Sequence, residues 1–160
     1  MAELQITAEP GVPQITMTAA FDAPRELVFR AHTDPELLVQ WLGPRRLTMV
    51  VDRQENRDGG RWRFVHRDAE GNEYAFRGVM HGTPSVEGIV RTFEYEGAPG
   101  HVSLETLTLE ERNGKTIVHT NAVFQTVEAR DAHLQSGMEA GVREAIDRLE
   151  ELVARHAPVG

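Results

Sequence analysis

The stretch LQSGMEAGVREAIDRLEELV, residues 134–153, carries the pattern that decides the fold. Its apolar side chains recur every three or four positions and form one stripe of a helix: Leu134, Met138, Val142, Ile146, Leu149 and Val153. The opposite face carries acid–base pairs four residues apart, the favourable orientation on a helix: Glu139 with Arg143, Glu144 with Arg148, and Glu151 with Arg155. The pattern predicts one long amphipathic helix over residues 129–155, with a single face to bury.

Upstream of this helix the hydrophobic period falls to two, which is typical of β-strands. Glycine-containing turns separate the segments, and Asn113-Gly114 is a strong hairpin signal because a type I′ turn needs positive φ at both positions. Short turns between consecutive strands favour an antiparallel meander over parallel βαβ units. The predicted strands cover residues 47–55, 61–68, 73–83, 89–96, 101–112 and 115–125.

The N-terminal part adds one alternating strand at residues 14–21 and two short helices. Asp22-Ala23-Pro24 and Thr33-Asp34-Pro35 start these helices, and Gly43-Pro44 ends the second. The order of elements predicts an α+β helix-grip fold, in which a curved seven-stranded antiparallel sheet wraps around the long C-terminal helix. We expect one domain over residues 12–156, with flexible termini at residues 1–11 and 157–160.

The composition excludes several kinds of site. The 160 residues include no cysteine, which excludes disulfides, thiolate metal sites and a cysteine nucleophile. A net charge of −8 without a compensating basic cluster argues against nucleic-acid binding. No apolar run approaches the ~20 residues that span a bilayer, and the N-terminus lacks the features of a secretory signal. We therefore expect a cytoplasmic protein without a membrane span.

Known sequence motifs give no catalytic assignment. The chain contains no nucleophile elbow, phosphate-binding loop, dinucleotide fingerprint or zinc-protease motif. The seven histidines show no metal-ligand spacing, so we predict neither a metal nor a cofactor. These absences lower the expectation of an enzyme without excluding one, because scattered pocket groups can also orient a substrate.

One helix cannot fill the concavity of a sheet that curls around it, so we expect a cavity between the two. Trp62, Phe64 and His66 alternate with arginines, which suit solvent, and should therefore face the helix. His66 is a candidate polar anchor or general acid–base, because histidine titrates near neutral pH. A hydrogen-bonded histidine at a strand end is the alternative.

The next strand should point Tyr74, Phe76 and Met80 at the same cavity. Gly78 lies between them, where it permits strand curvature or close approach of a ligand. Aromatic and methionine side chains make an adaptable lining, but the same residues also make an ordinary packed core.

The last strand has no face that its pattern assigns to the interior. If His119 and Asn121 face the cavity, they offer hydrogen bonds to a ligand; if they face solvent, they have no such role. Gly137 and Gly141 indicate close packing of the helix against the sheet or a flexible gate. The predicted cavity lining is completed by Trp41, Met138, Val142 and Ile146.

The sequence resembles the AHSA1-like proteins, which are single-domain bacterial relatives of the activator of Hsp90 ATPase in the START/Bet v 1-like superfamily. The segments that carry this resemblance are DAPRELVF at 22–29, TDPE at 33–36, WLGP at 41–44, GGRWRF at 59–64, GNEYAFRG at 71–78, GKT at 114–116 and GMEAG at 137–141. Similar proteins often have two tryptophans where this chain has Trp41-Leu42. Similar proteins also often have a tryptophan where this chain has Val142.

The resemblance implies a helix-grip fold and leaves three functions open. The first is binding of a small, mostly hydrophobic ligand between the sheet and the C-terminal helix, with a stress or resistance role as one option. The second is an aromatase/cyclase-type enzyme that uses the same pocket. The third is a chaperone-interacting module, although this chain lacks the separate chaperone-binding domain of the eukaryotic activator.

Overall fold

The computed structural model describes residues 3–156, which form an α+β domain. Two strands come first and are followed by two short helices, six further strands and two C-terminal helices. In chain order the elements are β1 Glu3–Thr7, β2 Gln14–Phe21, α1 Arg25–Thr33, α2 Pro35–Leu38, β3 Thr48–Gln54, β4 Arg61–Arg67, β5 Glu73–Val79, β6 Gly88–Tyr95, β7 Val102–Arg112, β8 Lys115–Val123, α3 Val127–Gln135 and α4 Met138–His156.

All strands join one antiparallel sheet with the order β1-β2-β8-β7-β6-β5-β4-β3. The prediction of a large antiparallel sheet with a C-terminal helix is confirmed. The number of strands was wrong, because the sheet has eight strands and not seven. The predicted β7–β8 hairpin turns at Asn113 and Gly114, whose φ values of 54° and 78° are both positive as a type I′ turn requires.

The additional strand is β1, which lies within the segment expected to be flexible. It pairs with β2 from Glu3 opposite Ala20 to Thr7 opposite Thr16. The buried guanidinium of Arg130 in α3 fixes the connection, because its Nη1 donates to the carbonyl oxygens of Glu9 at 2.9 Å and Gln14 at 3.1 Å. Residues 157–160, the other predicted flexible end, lie outside the described residues.

The predicted C-terminal helix is interrupted. Gly137 has φ of 86°, a left-handed value that ends α3 and lets α4 start in a new direction. The helix over residues 129–155 was therefore wrong as a single element, and α4 alone provides 19 residues. None of the helices within residues 3–156 has the length and apolar character needed to cross a bilayer.

The loop after α2 holds α4 in place. Arg148 donates from Nη1 to the carbonyl oxygen of Gly43 at 2.8 Å and from Nη2 to that of Gln40 at 2.9 Å. Two acidic residues of α4 on neighbouring turns bind Arg45 of the same loop. Glu144 accepts a hydrogen bond from the backbone N–H of Arg45 at 2.9 Å, and Glu151 accepts one from the Arg45 guanidinium at 2.8 Å. The sequence pattern suggested that Glu144 and Arg148 pair with each other. Instead, both side chains bind this loop.

Gly78 explains how the largest core side chain fits against the sheet. A Cβ at Gly78 would lie 2.5 Å from Nε1 of Trp62 and 1.9 Å from the carbonyl oxygen of Thr92. The indole instead occupies this space and donates to that oxygen at 3.2 Å. Gly78 therefore allows close approach, as predicted, but the group that approaches is Trp62.

The helical layer contributes a histidine to the interior. His32 near the end of α1 bonds through Nδ1 to the carbonyl oxygen of Val28 at 2.8 Å and packs edge-on against Trp41, with ring centroids 4.9 Å apart. Burial of the imidazole, with a smaller contribution from the positive charge of Arg91, lowers the pKa of His32 to about 4, although the hydrogen bond to Val28 opposes this shift.

Alanine substitutions at the two helix glycines should have opposite effects. Gly137→Ala places a side chain at φ of 86° and should lower the free energy of unfolding by about 1 kcal/mol. Gly141→Ala adds a Cβ whose nearest neighbour is the Cδ of Pro44 at 3.9 Å, inside a helix, and should raise it by up to about 1 kcal/mol. Urea unfolding measures both; a stabilising Gly137→Ala would contradict the helix break.

His32 should make the fold sensitive to acid. Because its pKa is about 4 when folded and 6.5 in the reference state, the unfolded chain binds the proton more tightly. Stability is then complete above about pH 6.5 and falls as the pH drops toward 4. When the pH falls from 7 to 4.5, the free energy of unfolding should decrease in both proteins. The decrease should be about 2 kcal/mol smaller in His32→Gln than in the wild type, because the variant has no imidazole to protonate. Equal losses in urea unfolding would contradict this.

Candidate functional site

The inner face of β4, β5 and β6 forms an aromatic floor. Phe76 stacks on Phe93 with ring centroids 5.4 Å apart and contacts Tyr95 at 5.1 Å. His66 meets the edge of Phe76 at 5.4 Å, and Trp62 lies 5.9 Å from Phe93. These rings lie on adjacent strands because Phe76 is paired with Tyr95 on one side and with Phe64 on the other.

We take the N-terminal half of α4 as the second wall, because Arg148 of this helix and the His66 ring of the floor both lie against Gly43. Met138, Val142 and Ile146 are only partly buried, whereas Leu149, Leu152 and Val153 in the second half of the helix are fully buried. The rings of the aromatic floor are also incompletely buried, because Phe76 and Phe93 are partly buried and Tyr95 is exposed. Apolar side chains on both walls therefore retain contact with solvent. We call the region between them the α4 cleft.

Four predicted lining residues belong to the packed core. Trp41 is 4% exposed, and its indole N–H donates to the carbonyl oxygen of Ala31 at 2.9 Å. Trp62, Phe64 and Met80 are each 2% exposed. These four side chains therefore pack in the core and do not line the cleft.

His66 is buried at the junction of the floor and the α2–β3 loop. Its ring lies beside Gly43, where a Cβ would come within 2.8 Å of the imidazole. Burial, and then the nearby positive charge of Arg148, lower the pKa of His66 below its usual value. The buried Nδ1 has no hydrogen-bond partner among residues 3–156. His66 is therefore neutral at pH 7 and is not the satisfied strand-end histidine of the alternative interpretation.

Tyr74 marks the rim of the floor. It is paired with His66 across β4 and β5, but its hydroxyl donates to Oδ2 of Asp68 at 3.2 Å, in the hairpin that joins the two strands. This hydrogen bond to the carboxylate raises the pKa of Tyr74 and keeps the hydroxyl protonated.

His119 and Asn121 lie on the wrong face for the predicted cavity. The buried neighbours Val118 and Ala122 occupy the helix-facing side of β8, so His119 and Asn121 point to the outer side. His119 is 47% exposed and lies 3.4 Å from Glu110. The alternative in which these two residues line the cavity was therefore wrong; the sequence had left both alternatives open because apolar residues occur on both faces of this strand.

The floor also contains a charged pair that the sequence did not indicate. Arg91 on β6 donates from Nε to Oε1 of Glu105 on β7 at 3.1 Å, and the two side chains are only 17% and 19% exposed. The guanidinium carbon lies 4.7 Å from the centroid of the Trp62 ring. A charged residue in an alternating strand is normally assigned to solvent. The sequence signal for an inward position was that Arg91 alternates in phase with Phe93 on β6, and Glu105 in phase with Leu107 on β7.

His133 of α3 closes the same end of the cleft. Its ring lies 5.2 Å from Phe124 and 6.4 Å from Phe93. Burial lowers the pKa of His133, and the negative charge of Glu105 partly offsets this shift. A neutral imidazole therefore stands near the ion pair at pH 7.

Two shallow depressions lie elsewhere on the surface. One, of about 260 Å³, lies around Leu104 where β7 begins and β8 ends, next to Thr92 of β6. The other, of about 290 Å³, lies on the outer face of β3, β4 and β5 and contains Arg63, Arg67 and Glu73. Neither has the continuous aromatic floor of the α4 cleft, so we take the α4 cleft as the candidate site.

Comparison with known proteins agrees with this architecture. A crystal structure from Rhodobacter sphaeroides is 29% identical, with a TM-score of 0.87 over 96% of this chain and 99% of that chain. A Mycobacterium smegmatis protein shares the fold at 21% identity, with a TM-score of 0.85 over 96% of this chain and 97% of that one. A Nitrosomonas europaea protein shares it at 24% identity, with a TM-score of 0.81 over 93% and 98%.

No curated protein matches the chain. The family model described as activator of Hsp90 ATPase homolog 1-like protein matches residues 22–154, which confirms the resemblance seen in the sequence. The protein therefore belongs to the activator of Hsp90 ATPase homolog 1-like family.

Proposed function

We propose that this protein binds a small, mostly hydrophobic ligand in the α4 cleft. The observation that carries the proposal is the uneven burial of α4, whose first half leaves apolar side chains open to solvent opposite an aromatic floor. Exposed apolar surface that lines a concave site is typical of ligand binding. His66 and Tyr74 would orient the ligand at the sheet side, while Phe76, Phe93 and Val142 would contact its apolar body.

The affinity would come mainly from burial of apolar surface. A bicyclic aromatic molecule that buried about 200 Å² of apolar area would gain roughly 5 kcal/mol before the costs of association. Stacked and edge-on contacts with the floor rings would add to this. Sequestration of such a molecule suits a stress or resistance role in the cytoplasm, and the absence of cysteine suits that reducing compartment.

A ring-closing enzyme in the same cleft is the second candidate, and His66 favours it. A buried imidazole that is neutral at pH 7 can accept a proton from a bound substrate. Any such activity should disappear in His66→Phe, and turnover that is unchanged in this variant would remove His66 as the base.

The chaperone-interacting alternative would require a contiguous exposed apolar patch. The large exposed apolar side chains of residues 3–156 are Val50, Tyr95 and Leu104, which lie on three different strands. Val50 and Leu104 are separated by β4, β5 and β6, so they do not form such a patch.

Filling the cleft should weaken binding. Val142→Trp introduces the indole that similar proteins often carry at this position and should occupy the space between α4 and Phe93. We expect the Kd for the neutral fluorescent probe N-phenyl-1-naphthylamine to rise about tenfold or more, because the apolar contact area is lost. Fluorescence titration measures the change.

Val50→Trp is the matched control, because Val50 is 63% exposed on β3 and lies outside the cleft. It adds the same indole and should leave the Kd unchanged. Far-UV circular dichroism verifies that both variants are folded. Equal effects of the two substitutions, or no saturable binding by the wild type, would refute the proposed site.

A further inference from the structure

We propose that the Arg91–Glu105 pair makes the cleft selective for apolar ligands that carry a neutral carbonyl group. This inference rests on the proposed function and specifies its ligand class. The pair lies on the inner face of β6 and β7, two residues along the strand from the floor ring of Phe93. Arg91 therefore forms the polar end of an otherwise aromatic floor.

Arg91 has unused donors. The hydrogen bonds of residues 3–156 engage its Nε alone, with Glu105 as the acceptor. Its plane lies against Trp62, 4.7 Å from the ring centroid, and 6.0 Å from that of Phe64, which orients the guanidinium without satisfying its N–H groups. A guanidinium has five N–H donors in a fixed fork, so both terminal nitrogens are available to an acceptor.

The surroundings explain why the acceptor should be neutral. Arg91 is already paired with Glu105, and the pair has no net charge. An anionic ligand at the free nitrogens would be attracted by Arg91 and repelled by Glu105 at a similar distance, while it loses its own hydration. A ketone, ester or amide oxygen accepts a charge-assisted hydrogen bond without bringing a third charge into the cleft.

The neighbouring titratable groups do not supply a counter-charge for an anion. His32 of α1 faces Arg91, and its pKa of about 4 leaves it neutral at pH 7. His133 of α3 lies near Glu105, and its pKa is also lowered by burial. Among the groups that face the pair, Arg91 therefore provides the positive charge, and Glu105 already balances it.

Three naphthalenes of matched shape test this inference: 2-acetonaphthone, 2-ethylnaphthalene and 2-naphthoate. The variant is Arg91→Met with Glu105→Leu, because replacement of both charges leaves no unpaired ion in the core. The control is Arg77→Met, which removes an arginine that pairs with Glu94 at 3.1 Å and is 50% exposed. Competition with N-phenyl-1-naphthylamine gives the three dissociation constants for each protein.

We expect the preference for the ketone over the ethyl compound to fall about tenfold in the double variant and to be unchanged in Arg77→Met. A single Arg91→Lys variant should lose part of this preference while it keeps the charge. If both neutral compounds bind and the preference is the same in all proteins, this inference fails and the proposed function stands. If the double variant weakens 2-naphthoate more than the ketone, the ligand class is anionic and the inference fails. If N-phenyl-1-naphthylamine binds but none of the three naphthalenes displaces it, this inference fails and the proposed function stands; if the probe does not bind either, both fail.

Discussion

The hydrogen bonds of Arg148 are the constraint on which the site depends. They join α4 to the carbonyl oxygens of Gln40 and Gly43, so the loop after α2 sets the position of the helix. Burial of this side chain lowers the pKa of Arg148, and yet the carbonyl oxygens accept from it as a cation. Because α4 is held by this loop and by α1, its first half does not need to pack on the aromatic part of the sheet to be stable.

The break at Gly137 completes this arrangement. A continuous helix over residues 129–155 would carry α3 and α4 in one line, whereas the left-handed residue lets α3 turn toward β2 and lets Arg130 bind the β1–β2 connection. Arg130 of α3 is thus buried and Arg148 of α4 is partly buried, and each binds main-chain carbonyl oxygens. The hydrogen bonds to these carbonyl oxygens offset the cost of removing each charge from water.

Much of the fold could be predicted from the sequence, because it depends on local signals. Strand β2, the Asn113-Gly114 hairpin and the inward face of β4 follow from periodicity and from the positive φ that a tight turn requires. The added strand β1 was missed because Leu4 and Ile6 alone give a weak alternation, and because its order depends on Arg130, more than a hundred residues away. The sequence could not assign the inner face of β8, because Ile117 and Val118 are both apolar. The register of β8 with β2 and β7 distinguishes the two faces.

The site was harder to predict than the fold. Trp62, Phe64, His66 and Phe76 were placed on the inner face correctly, but periodicity cannot separate a core side chain such as Trp62 from a floor side chain such as Phe76. The Arg91–Glu105 pair could not be found from either strand alone, because each charge is acceptable inside only when the other is present. Membership of the family accounts for the architecture.

Intermolecular nuclear Overhauser effects test the central claim most directly. They would be recorded between unlabelled N-phenyl-1-naphthylamine and the ¹³C-labelled protein. The account predicts contacts from the probe to the rings of Phe76 and Phe93 and to the methyl groups of Val142 and Ile146. Contacts to Val50 and Val65 on the outer face of the sheet, or the absence of contacts with both walls of the α4 cleft, would contradict it.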